Sequence, residues 1–269
     1  MRDRPRRSIA VGGRGRLGDG PIADDRGVSN VVGYVLVFSL VTLTIGTVFA
    51  VGIAGVEQRQ EAEQVANVER AFDVFDDNLR DVQRYDDPSR STEIRLSGGT
   101  LSTAESTRIS LVNESGDPLP VGPWEMNPVT YSTGDTTIAY EAGAWFRTDG
   151  DATVMRSAPR FVAEDGRTTL PIVVLTADGD RRVAGDATVQ INADRLRSVT
   201  RPELDVGESE NVSIRVESPR AAAWQRYFER TDGFVDETSA SEEGVAVARL
   251  EHVDTVYVHV VSIRVTLRR

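Results

Sequence analysis

The chain has 269 residues and not one cysteine. That excludes a disulfide framework, a thiol nucleophile, and zinc or iron–sulfur sites held by thiolates. Lysine is missing as well, so all 31 basic residues are arginine. Only two histidines occur, His252 and His259, too few for a histidine-rich metal centre and a poor basis for a Ser–His relay. Aromatics make up 6% of residues, and 42 acidic residues leave a formal charge of −11. An acidic surface repels phosphate backbones, which argues against nucleic acid as a partner. Excess carboxylate, no lysine and few aromatics fit a surface solvated in concentrated salt.

The charge is distributed in three blocks. Residues 1–27 carry seven arginines against four aspartates. Residues 28–56, VSNVVGYVLVFSLVTLTIGTVFAVGIAGV, carry no charge at all, and residues 57–269 carry a net −14. A helix needs roughly 20 apolar residues to cross a hydrocarbon layer of ~30 Å, so the uncharged block predicts a membrane span. Small residues within it, Gly33, Gly46, Gly52 and Gly55, allow helices to approach closely. Arginines before the span and Glu57, Glu61 and Glu63 after it predict a cytoplasmic N-terminus and a translocated body. The apolar block is too long for the core of an ordinary secretory signal.

The segment Asp24-Asp25-Arg26-Gly27-Val28-Ser29 resembles the processing site of archaeal type IV pilin and archaellin precursors, which carry class III signal peptides. In those precursors a charged leader ends in a basic residue followed by Gly or Ala, and the apolar segment stays on the mature protein. The resemblance implies that a prepilin peptidase cuts between Gly27 and Val28, with Arg26 as the basic flank. Asn30 stands where many halophile pilins have proline. Val32, the fifth residue after the cut, stands where bacterial pilins carry a carboxylate. The wider pattern is similar to a haloarchaeal family of secreted, pilin-like proteins of unassigned role. It is carried by Val28 to Leu36, Ala62 to Val65, Glu69 to Val74, Pro88 to Arg90, and Ser218-Pro219-Arg220 through Trp224 to Tyr227-Phe228.

From Glu57 to Arg84 there is no proline or glycine, so the helix is predicted to continue. Val65, Val68, Phe72, Phe75, Leu79 and Val82 form a heptad-spaced seam. Such a stripe either docks on the chain's own β domain or packs on neighbouring subunits. Asp86-Asp87-Pro88 ends the helix, because a residue before proline resists α geometry.

Beyond it, β-branched runs predict strands at 92–96, 107–112, 136–140, 153–156, 169–176, 187–191 and 255–267. Asp149-Gly150, Asp165-Gly166 and Asp178-Gly179 read as hairpin turns. A short helix is expected from Ser218, as N-cap, to about Arg230, with Pro219 at its first position and Trp224, Tyr227 and Phe228 sealing the core. The fold class is α+β: a long N-terminal transmembrane and amphipathic helix, then a mainly antiparallel β domain (sandwich or curled sheet) with one short late helix. Four segments follow: a basic leader at 1–27, the apolar helix at 28–56, its amphipathic extension at 57–85, and an extracytoplasmic β-rich domain at 86–269.

Site chemistry is sparse. No phosphate loop, Gly-x-Ser-x-Gly elbow or His-Glu-x-x-His motif occurs, so no catalytic, cofactor or metal residues are expected. The histidines read as structural or surface groups. Asp149-Gly150-Asp151 and Asp178-Gly179-Asp180 can lend oxygens to calcium but lack the further spaced ligands of a calcium loop. Asn113-Glu114-Ser115 and Asn211-Val212-Ser213 match the N-glycosylation sequon, and translocation would make both accessible; Asn127 is excluded by Pro128. The functional expectation is a pilin-like, non-enzymatic surface protein, minor or accessory. It would be processed at Gly27–Val28 and partnered by prepilin peptidase, the membrane and other pilin-like subunits. The alternatives are a permanently anchored binding or adhesion domain and, least supported, an ectoenzyme.

Overall fold

The computed structural model describes residues 25–85, 87–164, 166–179, 181–200, 204–205, 211–239, 242–251 and 253–269. The first 24 residues of the expected leader, together with Asp165, Asp180 and His252, lie outside them. The chain forms two compact units, Met1–Arg59 and Gln60–Arg269. One helix, α1 (Asp25–Arg84), supplies the described part of the first unit and enters the second. It starts three residues before Val28, the expected first helical residue, so helical backbone runs across Gly27–Val28.

The second unit is built from strands β1 (Ser89–Arg95), β2 (Thr100–Ser102), β3 (Thr107–Val112), β4 (Trp124–Met126), β5 (Val129–Thr133) and β6 (Thr136–Glu141). There follow β7 (Ala144–Asp149), β8 (Ala152–Ser157), β9 (Val162–Glu164), β10 (Arg167–Asp178), β11 (Arg182–Ala184), β12 (Thr188–Thr200) and β13 (Leu204–Asp205). The last are β14 (Ser213–Glu217), helix α2 (Ala221–Phe228), β15 (Phe234–Asp236), β16 (Val245–Leu250) and β17 (Thr255–Arg268). They form three sheets, ordered β1-β12-β17-β10-β9 with β13 also on β17, β11-β2-β5-β6-β7-β8, and β15-β16-β14-β3-β4.

Every expected strand run is present, and the fold is mainly antiparallel, as read from the sequence. One pairing departs: β10 and β17 run parallel, from Arg167 opposite Thr255 to Asp178 opposite Thr266. Parallel strands tend to be covered on both faces; here the covered face changes along the pair. Along β17, Val256, Val258 and Val260 enter one core, and Val261, Ile263, Val265 and Leu267 enter the other. The buried phase therefore slips by one residue at Val260-Val261. Beside that slip β12 carries a register shift between Arg195, opposite Ile263, and Arg197, opposite Ser262. An extra residue on one strand raises the local twist, which allows a single strand to serve two layers.

The first core gathers around α2. Trp224 and Phe228 are buried there with Phe146, Phe161 and Phe234, the Trp224 ring centroid 5.7 Å from Phe146 and 5.9 Å from Phe228. α2 is shorter than expected, and Pro219 precedes it rather than opening it. Arg220, not Ser218, holds the N-cap position, without a side-chain cap; the Ser218 hydroxyl accepts from the Arg220 N–H at 3.0 Å just ahead of the helix.

The second core holds the whole heptad seam of α1. Val65, Val68, Phe72, Phe75, Leu79 and Val82 pack with Ile94, Leu96, Tyr131, Tyr140, Ile191 and Ile263. The stripe is spent on the chain's own β domain and has no face left for a neighbouring subunit. From Gln60 on, the amphipathic extension thus belongs to the same unit as the strands.

The Asp-Gly turns differ. Gly150, at φ +57°, joins β7 to β8, which pair as a hairpin, and Gly166 lies between the paired β9 and β10. Asp178-Gly179 joins β10 to β11, which pairs with β2 in another sheet, so this turn is a crossing between layers and not a hairpin.

Gly99 sits against the second core. A Cβ built there would lie 2.4 Å from the Tyr131 ring, and that ring is fixed by its hydroxyl, which donates to the Leu96 carbonyl at 2.8 Å. Gly99→Ala should therefore cost about 1–3 kcal/mol, the usual penalty of overpacking. It should be read as a lowered urea midpoint at unchanged slope; an unchanged midpoint would show that the ring can move aside.

Candidate functional site

The most prominent surface of the molecule is the first part of α1. Val31–Ile53 is 23 residues long with a mean hydropathy of 2.3 and none of it is buried by the chain. Tyr34, Leu43, Phe49 and Val51 each keep about two-thirds or more of their surface open. Apolar surface costs roughly 25 cal/mol per Å² to leave in water, so this helix requires lipid or protein around it. A Cβ at Gly33, Gly46 or Gly52 would meet nothing within 4 Å. Thr44 and Thr47 return their hydroxyls to the carbonyls of Leu40 and Leu43, both at 2.8 Å. The span's polar side chains are thus partly satisfied within the helix, as a lipid-facing segment demands. Of the expected processing residues, Arg26, Gly27 and Val28, only the helical backbone is described.

Two buried polar clusters, neither anticipated from sequence, hold the second unit together. Glu141 ends β6 with no exposed surface. One carboxylate oxygen accepts from Ser218 Oγ at 2.7 Å and Trp224 Nε1 at 2.8 Å. The other accepts from Thr107 Oγ1 at 2.7 Å and from Arg220 Nε and Nη2 at 3.0 and 2.7 Å. Arg220, 4% exposed, also reaches Glu105 through Nη1 at 2.8 Å. Burial alone would raise the Glu141 carboxyl. The charge of Arg220, then the hydrogen bonds from Arg220, Thr107 and Ser218, outweigh it and hold the group below its ordinary value. The cluster fastens the β6–β7 hairpin and the segment before β3 to the start of α2. Its carboxylate is fully used by the chain's own donors. One signal was available: Arg220 lies in the Ser-Pro-Arg segment that marked the wider resemblance.

The second cluster ties α1 to the β region. Asp76 accepts from Ser157 Oγ at 2.7 Å and pairs with Arg80 at 2.9 Å. Its other oxygen, Oδ1, and the buried Tyr140 hydroxyl have no partner among the described residues. Burial raises the Asp76 carboxyl, against Ser157 and Arg80, and raises the Tyr140 phenol well above its usual range, the charge of Asp76 adding to it. Arg147 of β7 joins α1 through Glu69 at 2.9 Å and holds Asp149 at 2.7 Å.

The remaining sequence candidates fall in several places. Both Asp149 oxygens are taken, by Thr136 Oγ1 and by Arg147, which matches a turn better than a calcium site. Asp178 faces Arg264 at 3.6 Å. No group of three or more His, Asp and Glu able to hold a metal occurs among the described residues. His259, on β17, meets the Thr200 hydroxyl through Nδ1 at 2.9 Å. The two sequon asparagines, Asn113 and Asn211, far apart in sequence, line one depression of about 220 Å³ at the end of the β3–β14 pair.

Fold and surface together define a protein with one N-terminal helix able to cross a membrane and a mainly β domain locked onto that helix's continuation. The chain belongs to a family of unknown function, DUF7289, which matches residues 26–266. No curated protein and no solved structure matches it.

Proposed function

We propose that the chain is a type IV pilin-like surface protein of a halophilic archaeon. In this reading a prepilin peptidase removes a basic cytoplasmic leader between Gly27 and Val28, and the apolar helix then anchors or assembles the mature protein. The observation that carries the reading is the exposed, uncharged span Val31–Ile53, directly downstream of Arg26-Gly27-Val28. Arginines before the span and acidic residues after it favour an inward leader and an external body. Because the heptad stripe is already buried, subunit packing in this reading uses the exposed span. A minor or accessory subunit suits such a limited interface, and no catalytic role is proposed for the body.

A second reading, a permanently anchored binding domain that never polymerises, is favoured by one feature. Helical backbone crosses Gly27–Val28, and a peptidase must unwind it to cut. The N-terminus of protein recovered from membranes separates the two. Pilin-like processing gives a mature chain starting at Val28, and Gly27→Arg leaves the leader in place. An intact Met1 leader on the wild-type chain would exclude processing and leave the permanent anchor. Filaments sheared from cells that contain this chain would place it in an assembly.

A further inference from the structure

The two sequons are equivalent as sequence and different as structure. Asn113-Glu114-Ser115 forms the turn that follows β3, with Glu114 and Ser115 exposed. The Asn113 side-chain oxygen accepts from the N–H groups of Ser115 and Asp117 at 3.0 and 2.9 Å. That fixes the amide's orientation and leaves its nitrogen without a partner among the described residues. Asn211-Val212-Ser213 runs into β14 instead. Val212 and Ser213 are 3% and 5% exposed, and the Ser213 hydroxyl donates to Glu237 at 3.3 Å. β14 is paired on both sides, by β3 and β16, so an enzyme reaching Ser213 would have to open the sheet.

We propose that Asn113, and not Asn211, carries an N-linked sugar whose first ring lies over the shared depression. The lining suits a hydroxyl-rich ligand: Glu114, Asn211, Arg215, Glu237 and Arg249 surround it. The donor is a lipid phosphate-linked oligosaccharide. A bond forms between Asn113 Nδ2 and C1 of the sugar, the C1–O bond to phosphate breaks with its electron pair staying on the departing lipid phosphate, and Nδ2 gives up one proton to water. The proposal rests on the translocated body proposed above.

Intact-mass measurement and peptide mapping of the full chain from its native membranes test it. The Asn113 peptide should carry sugar mass and the Asn211 peptide none. Ser115→Ala keeps Asn113 and both backbone donors to it, so the turn survives, yet it should remove the whole sugar mass. Ser115→Thr should restore it, and Ser213→Ala should leave it unchanged. Sugar on Asn211, or sugar surviving Ser115→Ala, overturns the proposal. So does a bare Asn113 on a body that protease shaves from intact cells. A body protected from that protease overturns the surface reading itself, and this proposal with it.

Discussion

Glu141→Ala should be among the most damaging single substitutions in the molecule, lowering stability by about 3–5 kcal/mol. The loss comes from what is left behind. Arg220, almost wholly buried, would keep only Glu105, while Thr107, Ser218 and the Trp224 indole would lose their acceptor. Thermal denaturation of the detergent-solubilised full chain should show a midpoint lowered by about 6–20 °C, since 1 kcal/mol is worth roughly 2–4 °C in a domain of this size. Removing both charges, with Glu141→Ala and Arg220→Ala together, should cost less than the sum, because the orphaned cation disappears. The pH dependence has a definite sign. The folded-state carboxyl lies below its unfolded value, so its contribution is complete above the unfolded value, ~4.3 for glutamate. It is lost as pH falls through the folded one. Acid unfolding should therefore be less pH-dependent in Glu141→Gln than in wild type. A midpoint within 2 °C of wild type for Glu141→Ala would show that the cluster contributes nothing net.

Phe75→Ala is expected to cost about 3–5 kcal/mol as well, by a different route. Phe75 is 1% exposed and meets Phe72 and Tyr140 edge-on, with ring centroids 6.2 and 5.3 Å away. Truncating it opens a void where the tail of α1 seats on β6, next to Asp76, whose ion pair and hydrogen bond rely on that seating. Hydrogen exchange should speed up first at residues 65–82 and at β8, ahead of the core around α2. Val74 is the control, one residue away and 53% exposed; Val74→Ala should stay within about 0.5 kcal/mol. Equal effects from the two would mean that the heptad stripe does not dock the helix.

The features legible in the sequence are those written in local spacing. The seam Val65 to Val82 repeats at three and four residues because one helix face is buried, and every position of it is indeed in the second core. The alternating Thr255–Leu267 run is likewise a strand, although alternation could not announce the phase slip at Val260-Val261, which only two separate cores explain. Pairings between distant segments left no such trace. Glu141 and Arg220 are 79 residues apart, and among 42 acids and 31 arginines nothing in one dimension singles them out. The parallel β10–β17 pair is equally silent, because a buried strand reads the same whichever way its neighbour runs. Asp178-Gly179 carries hairpin chemistry but crosses between sheets, since turn residues fix a local reversal and not the partner that follows. The sequons were found by pattern, and only burial distinguishes them.

The placement of β17 bears on when this body can take shape. Its residues finish both hydrophobic interiors, and the residues it pairs with in its parallel neighbour β10 lie 88 positions earlier (255 − 167). Long-range pairing of that kind makes folding slow, because a large loop must close before any contact rewards it. Without residues 255–268 neither interior is complete, so loosening either layer loosens the strand that closes the other.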